Sequence, residues 1–321
     1  MKKFFLILTI SLLFFIITEA KATTIFSPLL EMEIDPGQSQ SGVVKVYNET
    51  DQDIFLTSSV ESFSAGDETG QPIFIPLEER NSYLSWFKVA DEEIILRPSQ
   101  VGIIPFIVTV PAEAVPGGYY AVIFWKNAPG PLAPGSEVSV SSKVGTLIFL
   151  KVKGEVFENG EILEFKTQPP QNYFFSLPIS FSVRFKNSGN VHLRPVGPIE
   201  LTNLFGQTEV LAVNELQRNI LPNSVRRFEI IWGQTLSGNW LEQFWPGLRQ
   251  ELSQLAFGPY KATLTLSYGV ENIQTVSKEL KFWLIPYRSL VVFILIIIIL
   301  AVFIKINKKV KRIKQGEFKK G

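Results

Sequence analysis

The side chains in this sequence that could do chemistry are few. There is one histidine, His192 in "NVHLRP", and there is no cysteine. A histidine base needs a nucleophile beside it, and no G-x-S-x-G elbow or comparable motif accompanies this one. His192 is therefore expected to be a surface or packing residue at a turn-to-strand boundary. Glu31, Glu33 and Asp35 alternate in "EMEID". In a strand this puts three carboxylates on one face and Met32 and Ile34 on the other. Three carboxylates could hold a cation, but the spacing matches no calcium loop, so a solvated face is expected. "DQD" at 51–53 and "AGDETG" at 65–70 read as acidic turns. A carboxylate pair for glycan hydrolysis is positioned by the fold rather than by spacing, and nothing here selects a pair. No phosphate loop or dinucleotide fingerprint is present. The chain is thus read as non-enzymatic, with no catalytic residue, no metal ligand and no cofactor. Without cysteine it has no disulfides, thiol nucleophiles or cysteine-ligated metals, and must be held by its cores alone.

Binding chemistry is better represented. "GNWLEQFWPGLRQELSQLAFGPY", residues 238–260, breaks the alternating pattern that surrounds it. Trp240, Phe244 and Trp245 are candidate anchors for a partner, since tryptophan is enriched where binding energy concentrates. Pro246 suits the first position of a helix, which would put Leu248, Leu252 and Leu255 on one face. Such a helix, about ten residues long, is too short to be stable alone in water and must lean on something. Three supports are open: the end of its own sandwich, a protein partner, or the outer leaflet of a membrane.

The elements that would position these groups are strands. "SGVVKVYN", "VGIIPFIVTV", "YYAVIFW", "VGTLIFLKVKG", "ISFSVRFKN", "RRFEIIW" and "YKATLTLSYG" are rich in Val, Ile, Phe and Tyr, and Pro, Gly, Asn and Asp punctuate them. That is the pattern of an all-β sandwich. "KNAPGPLAPGSE" at 126–137 reads as an exposed loop. The strands also repeat. "VKVYNET" matches "VRFKNSG", aligning Asn48 with Asn187. "LRPSQV" matches "ILPNSV", aligning Pro98 with Pro222. "GGYYAVIF" matches "GPYKATLT", aligning Tyr119 with Tyr260. Three landmarks in one order predict two related Ig-like domains, at 23–154 and 155–284. The first carries extra sequence around "FSAGDETGQPIFIPLEERNSYLSWF". The second is longer by about 17 residues between its Pro and Gly landmarks, which assigns 238–256 to an insertion holding a short helix.

The two ends of the chain are of another kind. Lys2 and Lys3, an apolar run and "TEAKA" read as a secretory signal peptide at 1–22, with an uncleaved anchor as the alternative. "SLVVFILIIIILAVFIKI" at 289–306 carries no charge until Lys305. The expected span, 285–306, crosses the hydrocarbon core if it tilts and if Arg288 and Lys305 snorkel. Tyr287 and Arg288 on one side, and Lys305, Lys308 and Lys309 on the other, are its expected anchors. The tail at 307–321 is basic, and the surplus from Lys305 onward, eight Lys or Arg against one Glu, places it in the cytoplasm. From residue 23 to residue 304 there are 20 basic and 28 acidic side chains, a net of −8. An acidic exterior argues against nucleic acid or anionic lipid as the main outer partner.

Taken together, "PGQSQSGVVKVYNETDQDIFL", "VPAEAVPGGYYAVIFW" and the order signal, domain, domain, span, Lys-rich tail resemble the WxL-interacting surface proteins of Gram-positive bacteria. The resemblance implies a membrane-anchored scaffold whose first domain binds peptidoglycan and whose second binds other surface proteins. Two tandem Ig-like sandwiches and one transmembrane helix are therefore expected, recognising wall polymer, a surface protein or both through loops and unpaired sheet edges. The alternative is a membrane-tethered assembly chaperone for secreted subunits; a carboxylate-dependent hydrolase comes third.

Overall fold

The computed structural model describes residues 23–75, 82–89, 93–128, 143–254, 257–270 and 272–317. The expected signal peptide, most of the loop at 126–137, Leu255 and the end of the basic tail lie outside the described residues. The chain divides into two compact units. The first runs to Ser64 and resumes over Pro72–Val156; the second comprises Ala65–Gln71 and the chain from Phe157 onward. Each is an Ig-like β-sandwich.

Strict two-residue alternation builds the first unit. Its strands are β1 (Thr23–Ile25), β2 (Leu29–Ile34), β3 (Ser39–Asn48), β4 (Ile54–Ala65), β5 (Pro72–Phe74), β6 (Phe87–Val89), β7 (Glu93–Leu96), β8 (Val101–Thr109), β9 (Gly117–Ala128) and β10 (Lys143–Val152). Along β8 every second residue is buried, from Gly102 through Ile104 and Phe106 to Val108, because successive side chains of a strand point to opposite faces. One sheet runs β1-β3-β8-β6. The other runs β2-β10-β9-β4-β5, with β7 also paired to β4. Val44, Val46, Ile104, Phe106, Ile123, Trp125 and Leu150 meet in its core.

In the second unit the strands are β11 (Gly160–Gln168), β12 (Tyr173–Phe174), β13 (Ile179–Asn187), β14 (Gly197–Asn203), β15 (Thr208–Val213), β16 (Val225–Trp232), β17 (Gly258–Tyr268) and β18 (Gln274–Leu284). They form a sheet β11-β13-β16 facing a sheet β12-β18-β17-β14-β15. The core holds Phe181, Phe185, Trp232, Tyr260, Leu264 and Phe282, with the Tyr260 and Phe282 rings stacked at 5.6 Å. Helix α1 (Trp240–Ser253) interrupts the strands between β16 and β17, and helix α2 (Tyr287–Glu317) follows β18. Over Tyr287–Lys309, α2 is long and apolar enough to cross a membrane, its most apolar 18-residue stretch having a mean hydropathy of 3.2. The side chains from Phe293 to Leu300 are all exposed.

The two sandwiches share one topology. β2 runs parallel to β10 as β12 does to β18, and β10, β9 and β4 neighbour one another in the order of β18, β17 and β14. The aligned landmarks are equivalent to the atom. Asn48 and Asn187 are both fully buried at the ends of β3 and β13. Asn48 Nδ2 donates to the carbonyls of Gln52 and Leu96; Asn187 Nδ2 donates to those of Val191 and Ile220. Each Oδ1 accepts the amide two residues on, from Thr50 or Gly189. The Pro landmarks open matching turns, in which Ser99 and Asn223 both take a positive φ, 60° and 55°. Proline presets the first central position of such a turn, and the next residue must be left-handed. Only the tyrosines differ: the Tyr119 hydroxyl reaches the Val115 carbonyl, whereas Tyr260 is buried in the core.

Candidate functional site

Helix α1 is longer than the ten residues expected, and it starts earlier. Its N-cap is Asn239, whose side chain accepts from the amides of Leu241 and Glu242, while Glu242 reaches back to the Asn239 amide. This reciprocal box satisfies two of the orphan donors of a first turn and fixes the start. Pro246 therefore lies inside the helix rather than at its first position. There it removes the N–H that would have paired with the Glu242 carbonyl.

The expected apolar face is also shifted. Leu248 is buried, but Leu252 is 57% exposed. The inward face is formed by Gly247, Leu248 and Glu251, with Phe244 half-buried, and it packs on the first turn of α2. A Cβ on Gly247 would lie 2.5 Å from Arg288 Cζ, so any larger residue there would push the guanidinium out of this position. Glu251 is the centre of the contact. Its Oε1 accepts from Arg288 Nη1 at 3.2 Å, and its Oε2 accepts from the Ser289 amide at 2.9 Å and the Ser289 hydroxyl at 2.8 Å. One carboxylate thus neutralises the arginine and caps the positive end of the apolar helix. Arg288, expected to snorkel, is instead 5% exposed and ion-paired, with its guanidinium against the Tyr287 ring at 4.7 Å. Burial inside a protein contact replaces the headgroup contact because an acid is delivered to it by α1. Tyr287, Lys305, Lys308 and Lys309 are exposed.

Of the candidate anchors, Trp240 is 73% and Trp245 69% exposed, and Phe244 sets its ring edge-on to Trp245 at 5.5 Å. Neither indole supports the core. Trp240→Ala combined with Trp245→Ala is expected to shift stability by no more than about 0.5 kcal/mol, as surface changes do. Equal melting temperatures of the variant and parent would check this.

The second candidate surface is a groove in the second unit. Among the described residues β15 pairs only with β14 and β16 only with β13, so each has an edge without a strand partner, that of β16 being met at Arg227 by the turn 65–71. Between them lies an open groove of about 930 Å³, lined by Val210–Ala212 on one side and Phe228–Ile231 on the other. The Arg227 amide points away from β13 and donates to the Glu68 carbonyl of the turn 65–71, which belongs to the same unit. By the two-residue period of a strand, Glu229 and Ile231 present their N–H and C=O groups in the same direction. Glu68 is held in place by Arg184 and Arg227, whose hydrogen bonds keep its carboxyl below the usual range, that from Arg184 foremost. At the far end Trp232 Nε1 and Gln254 Nε2 both donate to Glu209, tying β15 to β16 and to α1. In the first unit β6 covers β8 only over Phe106–Val108. The outer face there carries exposed Val43, Val101, Ile103 and Ile107.

The remaining titratable candidates are structural. Glu31, Glu33 and Asp35 face solvent with Met32 and Ile34 inward; Lys151 pairs with Glu33 at 3.4 Å and Lys153 with Asp35 at 3.3 Å. His192 is half-buried between buried Val191 and Leu193. The sequence points to unpaired sheet edges in general, but neither to these two edges nor to Glu251. The one local signal for Glu251 is its spacing, four residues after Gly247 and three after Leu248, which sets an acid on the inward face of a helix.

The fold defines a protein of two Ig-like sandwiches, the second with a groove between strand edges that have no strand partner among the described residues. No family model matches the chain, and no curated protein matches it. Among solved structures it is similar to the class 5 fimbriae chaperone CfaA, at 15% identity over 80% of this chain and 98% of that one, with a TM-score of 0.40. It is similar also to the E. coli chaperone DraB, at 15% identity over 81% and 98% with a TM-score of 0.36. A third is a chain of the Salmonella enterica SafA pilin–SafB chaperone complex, at 10% identity over 83% and 98% with a TM-score of 0.38. Likeness at this level concerns the fold alone.

Proposed function

We propose that this chain is a membrane-anchored, non-enzymatic surface protein that captures an extended segment of another surface protein by strand addition. The observation that carries this is the groove whose two walls are the unpaired edges of β15 and β16. A strand laid there gains main-chain hydrogen bonds from Glu229 and Ile231, and the apolar wall formed by Val210, Phe228 and Ile230 receives its alternate side chains. In this reading α2 spans the membrane once, the sandwiches lie outside, and Lys305, Lys308 and Lys309 hold the cytoplasmic side. Wall polymer, implied by the resemblance to WxL-interacting proteins, is proposed as a ligand of the first sandwich. Its check is retention of the chain on purified peptidoglycan above a denatured control.

The same two-edged groove supports a second reading, a membrane-tethered assembly chaperone, since a strand held on both sides is shielded from other chains. A captured subunit that is unfolded when alone would identify it.

Glu229→Pro tests the shared mechanism. Proline removes an N–H that points into the groove and leaves the β13 ladder intact, which edge strands tolerate. A photoreactive residue at position 231 of the membrane-bound chain is expected to cross-link to a surface protein, and Glu229→Pro is expected to abolish this without lowering the melting temperature. Cross-linking that persists in the proline variant would overturn strand addition.

A further inference from the structure

Helix α1 is pinned to the point where the chain enters the apolar helix, and its outer face has no partner among the described residues. Leu241, Trp245 and Leu252 are exposed along one stripe, four and then seven residues apart, with Glu242, Arg249 and Ser253 on the other side. The stripe runs beside the face that Gly247 and Glu251 set against Arg288 and Ser289. Strand register brings more apolar surface to the same end of the unit. Gly258 pairs with Leu284, just before α2, and Asn203 pairs with Tyr260. Phe257, Trp283 and the β14–β15 turn residues Leu204 and Phe205, all exposed, therefore stand at the level of the first turn of α2.

We infer that this end of the second unit sits in the outer-leaflet interface of a bilayer, with Trp240, Leu241 and Trp245 in contact with lipid. The inference rests on the reading that α2 spans the membrane. Continuity decides the occupant. Residues 287–289 are both the start of the span and the docking site of α1, so the stripe lies within a helix diameter of the headgroups. Tryptophan and tyrosine gather at that depth, where an apolar ring body and a polar tip are both accommodated. An amphipathic helix lying in the interface uses the same pattern. The Glu251–Arg288 pair fixes the height of α1 relative to α2, so the span does not have to set the sandwich's tilt alone.

The test uses the full chain in phosphatidylcholine nanodiscs, with acyl chains unmodified, brominated near the headgroup to reach the interface, or brominated near the terminal methyl to reach the depth of position 297. Emission from Trp240 and Trp245 is the difference between the parent and the W240F/W245F variant. Brominated lipid is expected to quench that difference about twofold, as interfacial indoles are quenched by lipid at their depth. A reference is provided by I297W placed in the W240F/W245F background. Quenching at position 297 without quenching of Trp240 and Trp245 would overturn the seating, leave the anchor standing and free the stripe for a protein partner. Absence of quenching at position 297 would overturn the membrane span and the seating together.

Discussion

Glu251→Ala is expected to detach α1 from the start of the apolar helix while both sandwiches stay folded. In the parent, Glu251 and Arg288 side chains are 1% and 6% exposed. Removing one partner of a buried ion pair leaves the other charge without compensation, at a cost of about 3–5 kcal/mol. Here the loss extends further, because the Ser289 amide and hydroxyl lose their acceptor as well. Besides Glu251, α1 buries only Gly247 and Leu248, so Leu248 is its one fully buried apolar side chain. Full burial of one leucine gives about 1.5–3 kcal/mol, which does not hold the helix once Arg288 is unpaired. Hydrogen exchange should then show α1 amides losing protection while β13 and β17 keep theirs. Glu251→Leu with Arg288→Met is expected to restore protection, since apolar replacement of both members of such a pair is often neutral or stabilising. Unchanged exchange in Glu251→Ala would mean that the ion pair does not hold the helix.

That contact also marks where sequence reasoning reached its end. The location of the insertion was legible, because the repeat fixed where its flanking Pro and Gly fall. Its helical character was legible from leucine spacing. The first turn was misplaced because Pro246 is the stronger local signal, although Asn239 and Glu242 already spell a capping box. The orientation of the helix was not legible at all. It depends on Arg288 and Ser289, nearly forty residues later, and no periodicity in 238–256 encodes them. The groove is of the same kind. The apolar alternation of β16 says that one face is buried, but the absence of a neighbour beyond it is a property of the whole sheet. Conversely, the acids at 31, 33 and 35 were read correctly as a solvent face, because strand alternation alone decides it.

The deepest information in the repeat lies in its two asparagines, and they should not be equally costly to remove. Asn187→Ala deprives the carbonyls of Val191 and Ile220 and the amide of Gly189 of their partners, all at buried residues. A buried group left unsatisfied costs about 1–3 kcal/mol, so three of them predict a loss of about 3 kcal/mol or more. Asn48 makes the equivalent three bonds and accepts a fourth from the Thr50 hydroxyl, but Gln52 is exposed and Thr50 half-exposed, so water can replace all but the bond to Leu96. Asn48→Ala is accordingly expected to cost about half as much. Aspartate rescues neither site, since it keeps the acceptor, loses both donated bonds and buries a charge. The two sites report on different sandwiches, which makes the comparison internal. Asn187→Ala should raise exchange in β13 and β16 and leave β3 and β8 as they were, while Asn48→Ala should do the reverse to a smaller extent. Equal losses at the two sites would show that water does not reach the Gln52 carbonyl and the Thr50 amide once Asn48 is removed. Exchange that rises in both sandwiches from either change would show that they unfold as one cooperative body, and the repeat would then describe topology without independent stability.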